Sequence, residues 1–270
     1  MSNKEKVALV TGASSGIGKA IATKLSASGY QVFGASRRAV VADRGIQALK
    51  LDVTDNTSVT TCVAEVLGQA GRIDLLVNSA GFALVAALEE STMTQVQSIF
   101  ETNVFGVMRM TRAVLPAMRA QGAGRIVNIS SIVGFLPAAY SGLYASSKHA
   151  VEGYSESLDH EVRTRGIRVC LIEPGFTMSN IAHNMPEPDA PIDIYAAGRN
   201  NILNIFSAAL AKGADPDMVA DTVVIAASAK VPKVRYTVGR EAAALAKLRR
   251  FLPTAMFDKS FRTQFRLDVV

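Results

Sequence analysis

Short apolar runs alternate along this chain with stretches whose apolar residues recur every three to four positions. The runs at 7–10, 30–35, 46–51, 73–77, 125–129 and 167–172 have the length of strands, and 235–238 reads as a short seventh. Helical spacing follows most of them. Ile17, Ala20, Ile21 and Leu25 follow the first, Val59, Cys62, Val63 and Val66 the third, and a broad stripe from Val96 to Leu115 the fourth. Two further helices are predicted, one from Tyr144 to about Arg165 and one over 216–229. Strands that are apolar throughout belong in a sheet covered on both faces, and their alternation with helices predicts parallel pairing. The expected fold is α/β: a doubly wound, mainly parallel sheet of about seven strands with helices on both faces, in a single domain over residues 1–270.

Three stretches depart from this rhythm. Residues 39–45, between the second and third strands, are too few for a full crossover helix. Residues 176–216 are apolar, with several prolines before Ile192, and read as an irregular lid over a hydrophobic pocket or as a plain packing arm. The third is a basic C-terminal extension over 240–270.

Composition narrows the setting. A chain of 270 residues that is 49% hydrophobic supplies a sizeable core, which excludes general disorder. Cys62 and Cys170 lie far apart in apolar stretches, without the spacing of a disulfide framework or a zinc site, so buried thiols in a reducing compartment are expected and no metal. No apolar run reaches the ~18 residues of a membrane span, and the N-terminus lacks a signal-peptide core, so a cytoplasmic protein is expected. The net charge of +6 is uneven: from residue 230 onward ten Lys/Arg face three acids, while the preceding chain is nearly balanced. A solvated basic surface is favoured over nucleic-acid binding. In the tail, Leu245, Leu248, Phe251 and Leu252 alternate with Lys247, Arg249 and Arg250. That pattern allows peripheral contact with a membrane surface, but packing near the mouth of a site is preferred.

The candidate chemistry lies where strands end. Thr11-Gly12-Ala-Ser14-Ser15-Gly16-Ile17-Gly18 joins the first strand to its helix, where glycines let backbone approach a pyrophosphate and the helix N-terminus favours an anion. Tight strand–helix packing would use the same glycines. At the end of the second strand Ser36, Arg37 and Arg38 stand where an acidic residue would bind free ribose hydroxyls and an arginine a 2′-phosphate, so NADP(H) is favoured over NAD(H). Asp52 and Val53 end the third strand, and Asp52 is either an adenine contact or a cap. Asn78-Ser-Ala80-Gly81 ends the fourth. Asn103 is an amide inside an apolar helix, either satisfied by packing or part of a polar network. Tyr144 and Lys148 form an i, i+4 pair, thirteen residues and more beyond Ser131. A cation at ~4 Å and effective dielectric ~20 contributes ~4 kcal/mol, enough to draw a phenol's pKa toward neutrality. His149 points roughly 100° away from that pair.

Taken together and in order, the glycine turn, Asn78-Ser-Ala-Gly81, Asn103, Ser131, Tyr144–Lys148 and Pro174-Gly175 resemble the short-chain dehydrogenase/reductase family over about residues 5–240, with a Rossmann-type fold. The resemblance implies an Asn-Ser-Tyr-Lys tetrad. Tyr144 would be the general acid/base, Ser131 would hold the substrate oxygen, Lys148 would bind the nicotinamide ribose and lower the phenol's pKa, and Asn103 would position a relay water. It also implies carboxamide contacts from Thr177 and Ser179, and a homodimer or homotetramer built through the helices that carry Asn103 and Tyr144. The expected activity is NADP(H)-dependent interconversion of a carbonyl and an alcohol on a small apolar substrate. An NADP(H)-sensing binding module is the alternative, although a pure sensor needs no proton donor.

Overall fold

The computed structural model describes residues 5–38, 45–178, 185–265 and 267. Along the chain run β1 (Lys6–Thr11), α1 (Gly16–Ala27), β2 (Tyr30–Ser36), β3 (Ile46–Lys50), α2 (Asn56–Ala70), β4 (Leu75–Asn78), α3 (Met93–Phe100), α4 (Gly106–Gln121), β5 (Gly124–Ile129), α5 (Gly142–Val162), β6 (Ile167–Pro174), α6 (Asp193–Ala211), α7 (Pro216–Ser228), β7 (Arg235–Val238), α8 (Arg240–Phe251) and α9 (Thr254–Gln264). The strands make one Rossmann-like sheet in the order β3-β2-β1-β4-β5-β6-β7, and each neighbouring pair is parallel.

Burial on both faces explains the unbroken apolar runs. In β1, Val7 and Leu9 pack with Val59 and Val63 of α2 and Met110 and Val114 of α4. Ala8 and Val10 face the other way, onto Ile21 and Leu25 of α1 and Val219 and Val223 of α7. Local signals set the helix ends: Asp55 accepts a hydrogen bond from Ser58 N at 2.8 Å to start α2, and Gly71, at φ 72, ends it. Asp215 and Pro216 start α7 in the same way.

All seven predicted strands are present. The short β2–β3 connection lies almost wholly in 39–44, outside the described residues. Four features differ from expectation. The helix predicted through Asn103 is two helices joined by a π-helical turn, Glu101–Phe105. α5 ends at Val162 and a 3-10 turn carries the chain to Arg165. β6 continues through Glu173 and Pro174, with Pro174 opposite Val238, because pairing with β7 extends to the strand's last residue. The lid region is not irregular throughout, since α6 occupies nineteen of its residues.

The chain leaves β1 toward β2 on one side and pairs with β4 on the other, so the connections diverge above β1 and β4 and open a crevice at their carboxyl ends. Thr11 holds that crevice in register: its Oγ1 accepts from Ser79 N at 3.0 Å and Ala80 N at 3.1 Å.

Candidate active site

One cavity of about 520 Å³ runs along the carboxyl edge of the sheet, lined at one end by the glycine turn and at the other by Ser131, Tyr144 and Lys148. At the first end Gly12 has φ 70, and a Cβ there would stand 2.9 Å from Ala80 N and Cα. A Cβ on Gly18 would overlap the Gly12 carbonyl. Ser15, the N-cap of α1, makes no side-chain cap bond, and the first turn holds no acidic residue, so the helix start has N–H groups without a side-chain acceptor. Backbone exposed this way suits a dinucleotide pyrophosphate, and Ser14, Gly16 and Ile17 line the same wall.

Farther along, Arg37 and Arg38 are exposed at the rim, while Ser36 is buried and donates its hydroxyl to the Arg38 carbonyl. Asp52 accepts from Thr54 N and Oγ1 at 2.9 and 2.7 Å. Burial works to raise its carboxyl, yet those bonds and the Arg37 and Arg109 guanidiniums leave it below the usual carboxylate range. Asp52 thus closes its turn and lines the cleft with Arg37 and Val53. Ala80 and Gly81 line the floor. Asn78 lies beneath it, buried, with its Nδ2 donated to Asn128 Oδ1 at 2.8 Å. Pro174, Gly175 and Thr177 line the wall above β6, and the Thr177 hydroxyl donates to the Gly175 carbonyl at 3.3 Å. Ser179 lies outside the described residues.

The catalytic candidates come from three elements. Ser131 follows β5 in extended backbone (φ -166, ψ 164) and accepts from Val133 N at 3.4 Å. Tyr144 and Lys148 stand one turn apart near the start of α5. The Lys148 Nζ donates to the Ile129 carbonyl at 2.8 Å and sits 5.7 Å from the Tyr144 ring centroid. Asn103 is buried in the π turn. Its Oδ1 accepts from Phe82 N at 3.0 Å, and its Nδ2 donates to Phe82 O at 2.9 Å and to Ser147 Oγ at 3.1 Å. The extra residue of the π turn aims this amide at the 81–82 segment, and a Cβ on Gly81 would meet Asn103 Oδ1 at 3.0 Å.

Electrostatics at the pair run opposite to what spacing alone predicts. Burial pushes the Tyr144 phenol up to about 12, with a hydrogen bond to Ser131 working the other way. Burial pushes Lys148 down to about 8 against the field of Glu152. The ammonium is aimed at Ile129 rather than at the phenol oxygen, so desolvation outweighs the pairing.

Several lining residues carry no motif. Thr102 belongs to the floor, beside Ser79 of the Asn78–Gly81 segment. The roof is apolar and comes from Phe176, from Ile202 and Phe206 of α6, and from the C-terminal helices through Leu245, Phe257 and Phe261. Phe176 and Phe206 meet edge to face at 5.5 Å, while Phe257 and Phe261 stack on α9 and Phe265, at its C-cap, lies tilted against Phe261. Their i, i+4, i+8 spacing was a readable stripe. The arm before α6 is fastened to the 89–95 segment. Buried Glu90 accepts from Ala87 N at 2.8 Å and Ile192 N at 2.9 Å and pairs with Arg199. Gln95 Nε2 donates to Glu187 O at 2.7 Å, and the Tyr195 hydroxyl to Glu89 at 2.8 Å.

Among the described residues no group of three or more His, Cys, Asp or Glu could hold a metal ion, and no helix is long and apolar enough to cross a membrane. Cys62 and Cys170 are buried and unpaired.

Comparisons with known proteins point to one family. The short chain dehydrogenase family model matches residues 6–190. A 3-ketodihydrosphingosine reductase from Bacteroides thetaiotaomicron is 37% identical over 260 residues, 95% of this chain and 97% of that protein. A short-chain dehydrogenase from Streptomyces avermitilis superposes with a TM-score of 0.83 at 35% identity, covering 98% of this chain and 100% of that one. A short-chain dehydrogenase/reductase from Burkholderia phymatum, solved with NAD, gives 0.79 at 27% identity, covering 92% and 93%. With the family model spanning most of the sheet and the sequence likeness extending over nearly the whole chain, this protein belongs to the short-chain dehydrogenase family of oxidoreductases.

Proposed function

We propose that this oxidoreductase uses NADP(H) to interconvert a ketone and a secondary alcohol on an apolar substrate. The observation that carries the reading is the shared cavity: Ser131, Tyr144 and Lys148 open onto the same space as the glycine turn, beneath a roof of aliphatic and aromatic side chains. The glycine turn and α1 N-terminus would hold the pyrophosphate, Arg37 the 2′-phosphate, Lys148 the nicotinamide ribose, and Gly175 and Thr177 the carboxamide end. The nicotinamide supplies or accepts hydride when bound.

The chain's own residues handle the proton and the oxygen. A ketone oxygen gains negative charge as it is reduced, and the Ser131 hydroxyl and Tyr144 phenol are placed to stabilise it more strongly in the transition state than in the ground state. A phenol held near 12 keeps its proton at neutral pH, which suits a donor to a developing alkoxide. Asn103 fixes the 81–82 segment and the Ser147 hydroxyl around this pair. The choice of NADP(H) rests on Arg37 and on the lack of an acidic residue at 36–38, since the Burkholderia relative holds NAD and the fold does not discriminate. The name of the Bacteroides relative, a ketone reductase for a sphingoid base, agrees with the apolar roof.

The test is a spectrophotometric screen with NADPH and NADH against ketones graded from small to long-chain, with Tyr144→Phe as control. NADPH turnover rising with chain length is expected, and Tyr144→Phe should lower kcat by about 10²- to 10⁴-fold with NADPH affinity retained. Turnover by Tyr144→Phe at the wild-type rate would remove the phenol from the reaction.

A further inference from the structure

We propose that Glu152 is a positioning residue for Lys148: its buried carboxylate, one helical turn farther along α5, is the counter-charge that keeps the Lys148 ammonium protonated in the cleft. The consequence for turnover rests on the function proposed above, whereas the pairing stands on the geometry behind the site.

That geometry joins four elements. Lys148 and Glu152 are both buried and lie at i, i+4 on α5, so their side chains rise from one face. Among the described residues no carboxylate lies within salt-bridge distance of the Lys148 ammonium, and Glu152 is the one whose field reaches it. Behind Glu152 stands Arg235 of β7, which pairs with Glu152 Oε2, with Glu173 Oε1 of β6 at 2.6 Å and with Glu156 Oε1 of α5 at 2.9 Å. One guanidinium shared among three carboxylates does not neutralise the cluster, so net negative charge remains one helical turn from the lysine. The other oxygen, Oε1, faces the Ser130 hydroxyl across Gly134, where a methyl would stand 2.7 Å from one and 2.6 Å from the other. The groups facing Glu152 are therefore Lys148 and Glu156 on its own helix, Ser130 after β5, Glu173 on β6 and Arg235 on β7.

The physical need is clear. An ammonium removed from water with no opposite charge gives up its proton. Burial already brings Lys148 down to about 8, and Glu152 is the group that resists. Burial in turn raises the Glu152 carboxyl to about 7; Ser130 and Arg235 oppose this, while Glu173 adds to it. The field of the Glu152 carboxylate favours the charged form of the lysine, and the carboxylate is itself held by Arg235 and Ser130 against its burial. A purely structural clamp between α5, β6 and β7 would use the same residues but would not care about the charge on Lys148.

The experiment is a pH titration of ¹³C-labelled lysine ε-carbons in the full chain without nucleotide, with Lys148→Met assigning the resonance. Glu152→Gln is expected to lower the Lys148 midpoint by about one pH unit or more, in the range for loss of an opposite charge at this separation. Glu156→Gln, which removes a half-exposed carboxylate from the same arginine, should leave it in place. A Glu152→Gln midpoint equal to wild type would overturn the pairing. Should that variant not fold, wild type alone decides, because the Lys148 resonance must then carry a second step that tracks the ionisation of Glu152, and a single step rejects the coupling. With a carbonyl substrate in hand, the alkaline limb of kcat/KM should move down with the midpoint. A shifted midpoint with no turnover on any carbonyl would uphold the pairing and sink the proposed reaction instead.

Discussion

The two ends of the cleft are made in different ways. At the β1–β4 end the wall is backbone: Gly12 and Gly18 approach other main-chain atoms so closely that a single methyl would collide, and Thr11 ties the turn to Ser79 and Ala80. At the other end the wall is side chain, carried by α6, α8 and α9, which lie outside the sheet. Sheet register and close backbone contact fix the first. The second is held by a few polar fastenings and by apolar contact, so it can be reshaped without disturbing the strands. A cleft built this way keeps one ligand constant and lets the other vary.

Breaking the main fastening should give the largest effect. Glu90→Ala strands Arg199, which is only 15% exposed, and frees Ala87 N and Ile192 N. Removing one partner of a buried ion pair costs roughly 3–5 kcal/mol. Faster amide exchange over 187–199 and a raised KM for apolar ketones are expected, with nucleotide affinity within about twofold of wild type. An equal loss of nucleotide affinity would show that the ends are coupled. Acid should act in the same direction. Burial works to raise the Glu90 carboxyl, but its backbone and Arg199 partners hold it below the ordinary 4.5. A depressed carboxylate contributes stability above its unfolded value and loses it as pH falls through the folded one. Proteolytic cleavage near 185–192 should therefore increase only below about pH 4.5.

The glycine end is tested by contrast. Gly18→Ala places a methyl on the Gly12 carbonyl, where neither backbone can yield, so about 3 kcal/mol, the upper part of the overpacking range, is expected to appear as about 100-fold weaker NADPH binding by fluorescence titration. Gly198→Ala in α6 meets only the far end of the Tyr140 side chain. The phenol can swing aside and alanine favours the helix, so stability should hold within about 1 kcal/mol. Equal damage from the two substitutions would erase the distinction between a backbone wall and a side-chain wall.

How legible each end was in the sequence follows from the same physics. Doubly buried strands leave unbroken apolar runs, which is why all seven could be located, and a close backbone approach leaves glycines at fixed spacing. Tyr144 and Lys148 were readable because the helix period is. The π turn at Asn103 has no such signature: one extra residue in a turn changes no periodicity. Glu152 and Arg235 meet across 83 residues, and nothing local in either stretch announces it. The direction of the phenol shift depends on burial, which spacing does not report. The tail's amphipathic pattern over 241–257 pointed to packing near the mouth of a site, and the fold brings Leu245, Leu248 and Phe257 to the cleft; the Phe257–Phe265 stripe beyond it went unread.

A smaller effect tests the selection of nucleotide. Ser36→Asp with Arg37→Leu removes a guanidinium from the rim and puts a carboxylate where a 2′-phosphate would lie. Loss of a charge-assisted hydrogen bond is worth about 1.5 kcal/mol, so the NADPH/NADH preference in kcat/KM should fall about tenfold or more. An unchanged ratio would move the 2′-phosphate away from this loop and leave the glycine turn untouched.

The smallest expected effect is the most specific. Phe261 is half-buried in the roof, between Phe257 at 6.1 Å and Phe265 at 4.6 Å. Phe261→Ala removes apolar surface from the cavity that α9 lines. At about 25 cal/mol per Å², losing some 40 Å² of contact costs about 1 kcal/mol, roughly fivefold in KM. That penalty should grow with substrate chain length and vanish for a small ketone that ends at Ser131 and Tyr144, with kcat and NADPH affinity constant. A uniform loss across chain lengths would place the ring in the support of Ser131 and Tyr144 and not in the roof, and the independence of the two ends would fail where it is easiest to measure.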